Sequence, residues 1–403
     1  MKYFFTYLIS FLLISCNQEK NEFLTYGTYR AELKVQDNQI LPFLFKIKDK
    51  NTIEIFNAEE IIEVDEIEYK NDSVYIQTPV FEGYIVAKIE NERLTGSFVK
   101  ESLDRIVPFK AYKNSKRFSS TQKANKNITG NWETIFSPNS EPDRYIAKGT
   151  FNQKRNKVTG TFRTTTGDYR YLEGIVEDDS LKLSTFDGAH AFLFTAKVTD
   201  STMVGNFYSG NHWKEPFVAK LNNNYELPHE DNLTYIKEGY NKLEFSFPDE
   251  TGKLISLSDE RFKNKVVLVQ IMGTWCPNCL DESKYYVNYL KENSNEKIEI
   301  VALAFEVAKT KETAFDRIKR LKDKIGITYP ILLAQFGNVA DKKLAAQKLP
   351  MLNHIISYPT TIFIDKKEGV RKIHTGFNGP ATGQKYLEFK KEFESFVDML
   401  LSE

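Results

Sequence analysis

The residues best suited to covalent chemistry are two cysteines in the run Trp275-Cys276-Pro277-Asn278-Cys279. A third cysteine, Cys16, lies far away near the N-terminus. An exported protein that relied on structural disulfides would scatter its cysteines along the chain, so one close pair points to redox work. The run follows the apolar stretch Val266–Met272 and opens a segment with helical spacing. A helix start presents unpaired backbone N–H groups and a partial positive charge, and both stabilise a thiolate. In such settings a thiol falls from about 8.5 to between ~3.5 and ~7.5. Cys276 is expected to be the exposed attacking thiolate, and Cys279, one turn deeper, the resolving thiol. Half of a zinc site is the competing assignment for this spacing. A structural zinc needs four ligands, and only scattered histidines such as His354 and His374 are on offer, so no metal and no organic cofactor is expected.

The elements that must carry this pair are legible downstream of about residue 243. Val266–Met272 and the run from Ile298 to Phe305 read as parallel strands covered on both faces. Leu280, Val287 and Leu290 recur at helical spacing between them, and Ala314, Ile318, Leu321 and Ile325 mark a second helix closed by Gly326. Thr360 to Asp365 and Val370 to Thr375 read as a hairpin across Lys367-Glu368-Gly369, and Phe389, Phe393, Phe396, Val397 and Leu400 stripe a final helix. The order is β-α-β-α-β-β-α, that of a thioredoxin-like α/β domain over residues 243–403.

Upstream the pattern is different. From Tyr26 to about Leu221 short alternating runs, such as Leu41–Phe45 and Tyr84–Ile89, are broken by Gly, Asn and Asp turns, and the 30 Phe and 21 Tyr suit an all-β region. Three collinear matches indicate a duplication at an offset of about 108 residues. Asp72-Ser73-Val74 pairs with Asp179-Ser180-Leu181, Leu94-Thr95-Gly96 with Met203-Val204-Gly205, and Pro108-Phe109 with Pro216-Phe217. The expected units are a β module over 25–112 and a second over 127–221, either two small barrels or two halves of one larger structure. Polar stretches, Lys113 to Lys126 and Asn222 to Asn241, are expected to link the parts.

Lys2 and the apolar run Tyr3 to Ile14 form a leader over residues 1–15, too short to span a membrane. Its end, Leu13-Ile14-Ser15-Cys16, resembles a bacterial lipoprotein signal. That resemblance implies cleavage before Cys16 and lipidation of its sulfur, with residues 16–24 as tether, and a place in the bacterial cell envelope facing the periplasm. Lys plus Arg and Asp plus Glu both number 55, and the absence of any basic excess argues against nucleic acid as a partner.

Gly273-Thr274-Trp275-Cys276-Pro277-Asn278-Cys279 with Glu282 resembles the TlpA/ResA-like family of membrane-tethered extracytoplasmic thiol–disulfide oxidoreductases. Phe247-Pro248-Asp249 with Gly252–Leu257, Ile327–Leu332 and Pro359–Asp365 are similar to that family's other landmarks. The likeness spans about 160 residues and leaves the β modules outside it. It implies protein disulfides or dithiols as substrates, an upstream electron donor, and reduction of exported proteins such as cytochrome c precursors. Oxidase or isomerase action, or a ligand-binding role for the β modules with the dithiol secondary, are the alternatives. The family implies a cis Pro359 facing the dithiol. Tyr358 before it is bulkier than usual, and either alters partner choice or merely packs. Trp275 and Pro277, beside the nucleophile, join Tyr358 as expected substrate contacts. The run Ala345 to Ser357 either rims the site or is plain surface. Where thioredoxin carries a buried Asp this chain has Gln270, which accepts no proton. Glu282 is therefore the replacement base, or else a solvated helix residue. A peroxidase would want Thr or Ser where Gly273 stands.

Overall fold

The structure, a computed structural model, describes residues 23–403 except 121, 230, 232, 294 and 338–341. The leader, Cys16 and all but the last residues of the tether lie outside the described residues. Strand alternation builds the first sheet from β1 (Gly27–Lys34), β2 (Ile40–Ile47), β3 (Ile53–Asn57), β4 (Glu60–Val64), β5 (Glu66–Lys70), β6 (Ser73–Gln77), β7 (Tyr84–Glu90), β8 (Arg93–Lys100) and β9 (Arg105–Lys113). In β6, for example, Val74 and Ile76 are buried while Tyr75 faces outward. The order is β4-β3-β2-β1-β9-β8-β7-β6-β5, all antiparallel, with β4 and β5 at the open edges.

The second unit repeats that order nine strands later. Its strands are β10 (Gly130–Phe136), β11 (Tyr145–Lys154), β12 (Lys157–Thr164), β13 (Gly167–Asp168), β14 (Leu172–Glu177), β15 (Ser180–Phe186), β16 (Ala191–Val198), β17 (Thr202–Ser209) and β18 (Trp213–Leu221). Here β14 pairs with β12, which in turn pairs with β11, so eight strands close into a barrel with β13 hanging from β12. An eight-stranded barrel has room for its own side chains and little else. Trp132, Phe136, Phe162, Phe194 and Phe217 fill it. The three matched segments of the sequence fall on β6 and β15, β8 and β17, and β9 and β18. The repeated glycine has a packing reason. A Cβ on Gly96 would stand 2.0 Å from the Val86 carbonyl oxygen, and one on Gly205 would stand 2.1 Å from that of Thr195.

The open sheet obtains part of its core from its neighbour: Phe186, Leu193 and Tyr208 of the barrel join its cluster, with Phe43 stacked on Phe186 at 4.2 Å. The polar stretch between the units is mostly exposed but pinned at one point. Arg117 within it is buried, and its guanidinium donates to the carbonyls of Phe56 and Ser184 and to Asn57 Oδ1.

The C-terminal domain opens with a hairpin, β19 (Ser246–Pro248) and β20 (Leu254–Ser256). It continues as β21 (Val266–Met272), α1 (Pro277–Glu292), β22 (Ile298–Glu306), α2 (Lys311–Ile325), β23 (Ile331–Phe336), α3 (Lys342–Lys348), β24 (Thr360–Ile364), β25 (Val370–Thr375) and α4 (Gln384–Ser402). The sheet order is β23-β22-β21-β24-β25, with β21 to β23 parallel and the last two antiparallel. This is the thioredoxin-like architecture with one strand, β23, and one helix, α3, more than the expected order. The run after Ala345 is partly surface, with Gln347, Lys348, Pro350 and His354 exposed, and partly core, with Leu349, Met351, Leu352 and Ile355 buried on one face of the sheet. The stretch before this domain also packs, since Thr234 is buried and Asp231 pairs with Lys372 and His374.

Candidate active site

Every residue of β21 is buried, so the strand fixes where α1 begins. Gly273 at the turn is required by close approach: a Cβ there would lie 2.3 Å from Trp275 Nε1 and 2.9 Å from the Phe305 carbonyl oxygen. Cys276 is the N-cap of α1 and Pro277 occupies its first turn, where a missing N–H costs nothing. The Cys279 N–H donates to Cys276 Sγ at 3.2 Å, placing a helix-start donor on the sulfur that must carry charge. The Cys276 thiol in turn donates to the Tyr358 carbonyl at 3.3 Å. The Tyr358–Pro359 bond is cis, and both cysteines are free thiols.

The two sulfurs differ in surroundings. Cys276 lines a cleft of about 710 Å³ and Cys279 does not. Cys279 is wholly enclosed, and burial, together with its neighbour Cys276, pushes its thiol well above the usual range. Cys276 itself is only 6% exposed, against the expectation of an exposed nucleophile. The Tyr358 carbonyl meets its sulfur, and Thr166, Gly167 and Asp168 of the barrel unit line the same cleft.

Glu282 is completely buried, so it is not a solvated helix residue. Gln270 Nε2 donates to one carboxylate oxygen at 2.8 Å and Thr361 Oγ1 to the other at 3.0 Å. Burial outweighs these bonds and raises its carboxyl to about 7. Gln270 thus has a role the sequence did not suggest: it holds the buried Glu282 carboxylate in place. A second buried carboxyl, Glu306, escaped the sequence reading. It ends β22, accepts from the Thr274 N–H at 2.8 Å and Thr274 Oγ1 at 2.6 Å, and is likewise raised to about 7 by burial. Its signal was a charged residue closing the buried apolar run from Ile300 to Phe305.

The rim of the site is supplied from far upstream. Asn278 Nδ2 donates to the Asp168 carbonyl at 3.3 Å, and Ser357 Oγ donates to that of Thr166 at 2.8 Å. Gly167 is held at φ +146°, and a Cβ there would strike Asn278 Nδ2 at 2.3 Å. Asp168 is itself tied down by the N–H groups of Gly379 and Arg170, both at 2.7 Å. Beneath this rim Arg170 is buried among three carboxylates: Asp281 on α1, Glu60 at 2.5 Å on the open sheet, and Asp187 with an oxygen 3.6 Å from Nε. One guanidinium therefore joins all three parts of the molecule two residues past Cys279. Tyr358 packs edge-on against Trp275 at 5.5 Å and lines the cleft with Trp275 and Pro277, so all three expected contacts border it.

A dithiol at the start of a helix, one sulfur on a cleft and the other enclosed beside a carboxyl, on a thioredoxin-like sheet, defines a thiol–disulfide exchange enzyme. Residues 239–373 match the AhpC/TSA family. Thioredoxin-like protein YneN of Bacillus subtilis (strain 168) is 31% identical over 164 residues, which cover 41% of this chain and 81% of that protein. Thiol-disulfide oxidoreductase ResA of the same organism is 32% identical over 141 residues, covering 35% of this chain and 69% of its own. A solved thiol:disulfide interchange protein of the thioredoxin family from Chlorobium tepidum TLS is 21% identical. It covers 41% of this chain and 99% of its own, with a TM-score of 0.29. The chain belongs to the TlpA/ResA-like thiol–disulfide oxidoreductases of the thioredoxin superfamily.

Proposed function

We propose that this protein reduces disulfides of exported proteins at the periplasmic side of a bacterial membrane, to which a lipid on Cys16 anchors it. The carrying observation is the asymmetry of the pair, with Cys276 on the cleft and Cys279 enclosed beside Glu282. The Cys276 thiolate attacks a substrate disulfide, forming a mixed disulfide and expelling one substrate thiolate. Cys279 then gives its proton to Glu282 and attacks Cys276 Sγ. The second substrate thiolate leaves and takes up a proton, two electrons have passed to the substrate, and the enzyme holds a Cys276–Cys279 disulfide. A dithiol protein upstream must reduce it again.

The reducing direction has a physical support. Strong oxidants of this superfamily are oxidising because their reduced form is stabilised. Here burial and the neighbouring Cys276 keep the Cys279 thiol protonated, so it adds no stabilised thiolate to the reduced form. The couple is expected nearer thioredoxin's potential of about −270 mV than the strong oxidant's −120 mV. Equilibration with glutathione or dithiothreitol buffers measures this, and a value at the oxidising end would overturn the direction. For the anchor, Cys16→Ala should abolish labelling by radioactive palmitate, and an unlabelled wild type would remove the proposal. Among the described residues no helix is long and apolar enough to cross a membrane.

A further inference from the structure

We infer that the cavity between the open sheet, the barrel and Trp275 is an anion pocket that takes a carboxylate of the disulfide substrate. The inference rests on the disulfide-exchange reading and names the kind of substrate that site prefers.

The cavity, of about 320 Å³, adjoins the dithiol cleft: Trp275, Tyr358, His190, Ser209 and His212 line both. Its cations are Lys100, at the end of β8, and Arg105, which opens β9. Lys100 Nζ donates to the Ala189 carbonyl at 3.1 Å, which leaves ammonium protons for another acceptor. Among the described residues neither Lys100 nor Arg105 forms an ion pair. The carboxylates nearby are committed elsewhere. Glu82 pairs with Arg317 and accepts from Ser102 Oγ at 2.5 Å. Asp187 accepts from His190 and faces Arg170, and Asp104 pairs with Lys309 at 3.2 Å.

Both cations are half-buried and form no ion pair, with Glu82 the main attractive charge acting on each. Burial lowers Lys100 to about 8, and burial, Arg105 and Lys100 lower His212 to about 4. A carboxylate entering the cavity would accept charge-assisted bonds from both cations in partly excluded water, while Phe98, Val107 and Val307 pack against its stem. Either an acidic side chain or a chain terminus could supply the group. Continuity with the cleft then requires the carboxylate to sit close to the substrate cystine.

The test uses the full chain with dithiothreitol as donor and a series of cystine peptides with blocked termini. Each peptide carries one Glu, or Gln as isostere, at successive positions on either side of the disulfide. At the best-placed position Glu should raise kcat/KM roughly tenfold over Gln, the size of one charged hydrogen bond. The advantage should shrink in high salt and vanish in the Lys100→Gln/Arg105→Gln protein, whose rate on the Gln peptide stays near wild type. A further arm with a free C-terminus beside the cystine distinguishes a terminal carboxylate from a side chain. Should the double variant fold poorly, Lys100→Gln alone should lose part of the preference. Calorimetric binding of the same peptides with S-methylated cysteines reads the pocket without any redox step, so an inactive dithiol and an absent pocket give different results. Equal binding and equal rates for Glu and Gln at every position, or a preference that survives in the double variant, would overturn the inference.

Discussion

The two β units share a strand order and differ in whether it closes. In the second unit β14 reaches β12 and completes a barrel filled by its own aromatics; in the first, β4 and β5 remain edges and the core is completed by Phe186, Leu193 and Tyr208 from the barrel. Their uses diverge accordingly. The closed unit leaves a short hairpin, β12 to β13, free to form the rim over the dithiol, with Thr166, Gly167 and Asp168 touching the active-site loops. The open unit lies along α2, where Arg320 meets Glu66 at 2.6 Å and Lys324 meets Asp65 at 2.8 Å. One duplicated fold thus supplies both a brace for a helix and a wall for a site. The ion pairs of Arg170 beneath the wall are buried, and those along the helix are mostly half-exposed.

Arg170→Met is the strongest way to break this comparison. Three carboxylates, Glu60, Asp187 and Asp281, would be left without their shared cation in a buried place, which typically costs ~3–5 kcal/mol. Thermal unfolding should show a large fall in Tm, and dithiol exchange should slow as α1 loses its tie to both β units. A change under 1 kcal/mol would mean the three parts are not joined there.

Glu306→Gln probes the covered site through stability. A carboxyl raised from 4.5 to about 7 keeps its proton in the folded protein after the unfolded chain has lost it. Stability therefore falls as pH rises from near 4.5 through about 7, by about 3 kcal/mol at most, and stays low above. The Gln variant should be close to wild type at pH 4.5 and more stable at pH 8; parallel Tm curves across that range would contradict the burial argument. Glu82 of the open unit adds to the raised value, so this carboxyl also senses the brace.

Glu282→Gln should act on rate. Positioned bases contribute ~10²–10⁴-fold, but thiol exchange needs less help, so a loss of about tenfold or less and a flatter pH profile are expected between pH 5 and 9. Superimposable stopped-flow profiles would remove Glu282 as the proton acceptor. The smallest effect belongs to the brace. Arg320→Met should cost no more than about 1 kcal/mol, a cost that diminishes in high salt.

Much of the dithiol domain was legible because its signals are local. The apolar run, the helix start, Gly326 and the Pro359 segment each act through neighbours in sequence. The repeat was legible too, since a glycine pressed against the next strand recurs as Gly96 and Gly205. What was missed acts across the chain. Arg117 sits in a stretch that reads as a polar link and Arg170 carries no local signal, and only the packing of the units around them makes them buried. Cys276 read as exposed because the cleft it lines is walled by residues more than a hundred positions upstream, Thr166 to Asp168. β23, a short apolar run after Pro330, was legible only as part of the family landmark Ile327–Leu332 and not as a strand.

The central claim is that Cys276 attacks and Cys279 releases within a cleft walled by the barrel. The direct test incubates full-length Cys279→Ser protein with insulin and maps the adduct by mass spectrometry after proteolysis. The account predicts a stable mixed disulfide on Cys276, absent when Cys276→Ser is used instead, and no turnover from either variant. Full turnover by the Cys276→Ser protein, or no adduct on Cys276 in the Cys279→Ser protein, would contradict it.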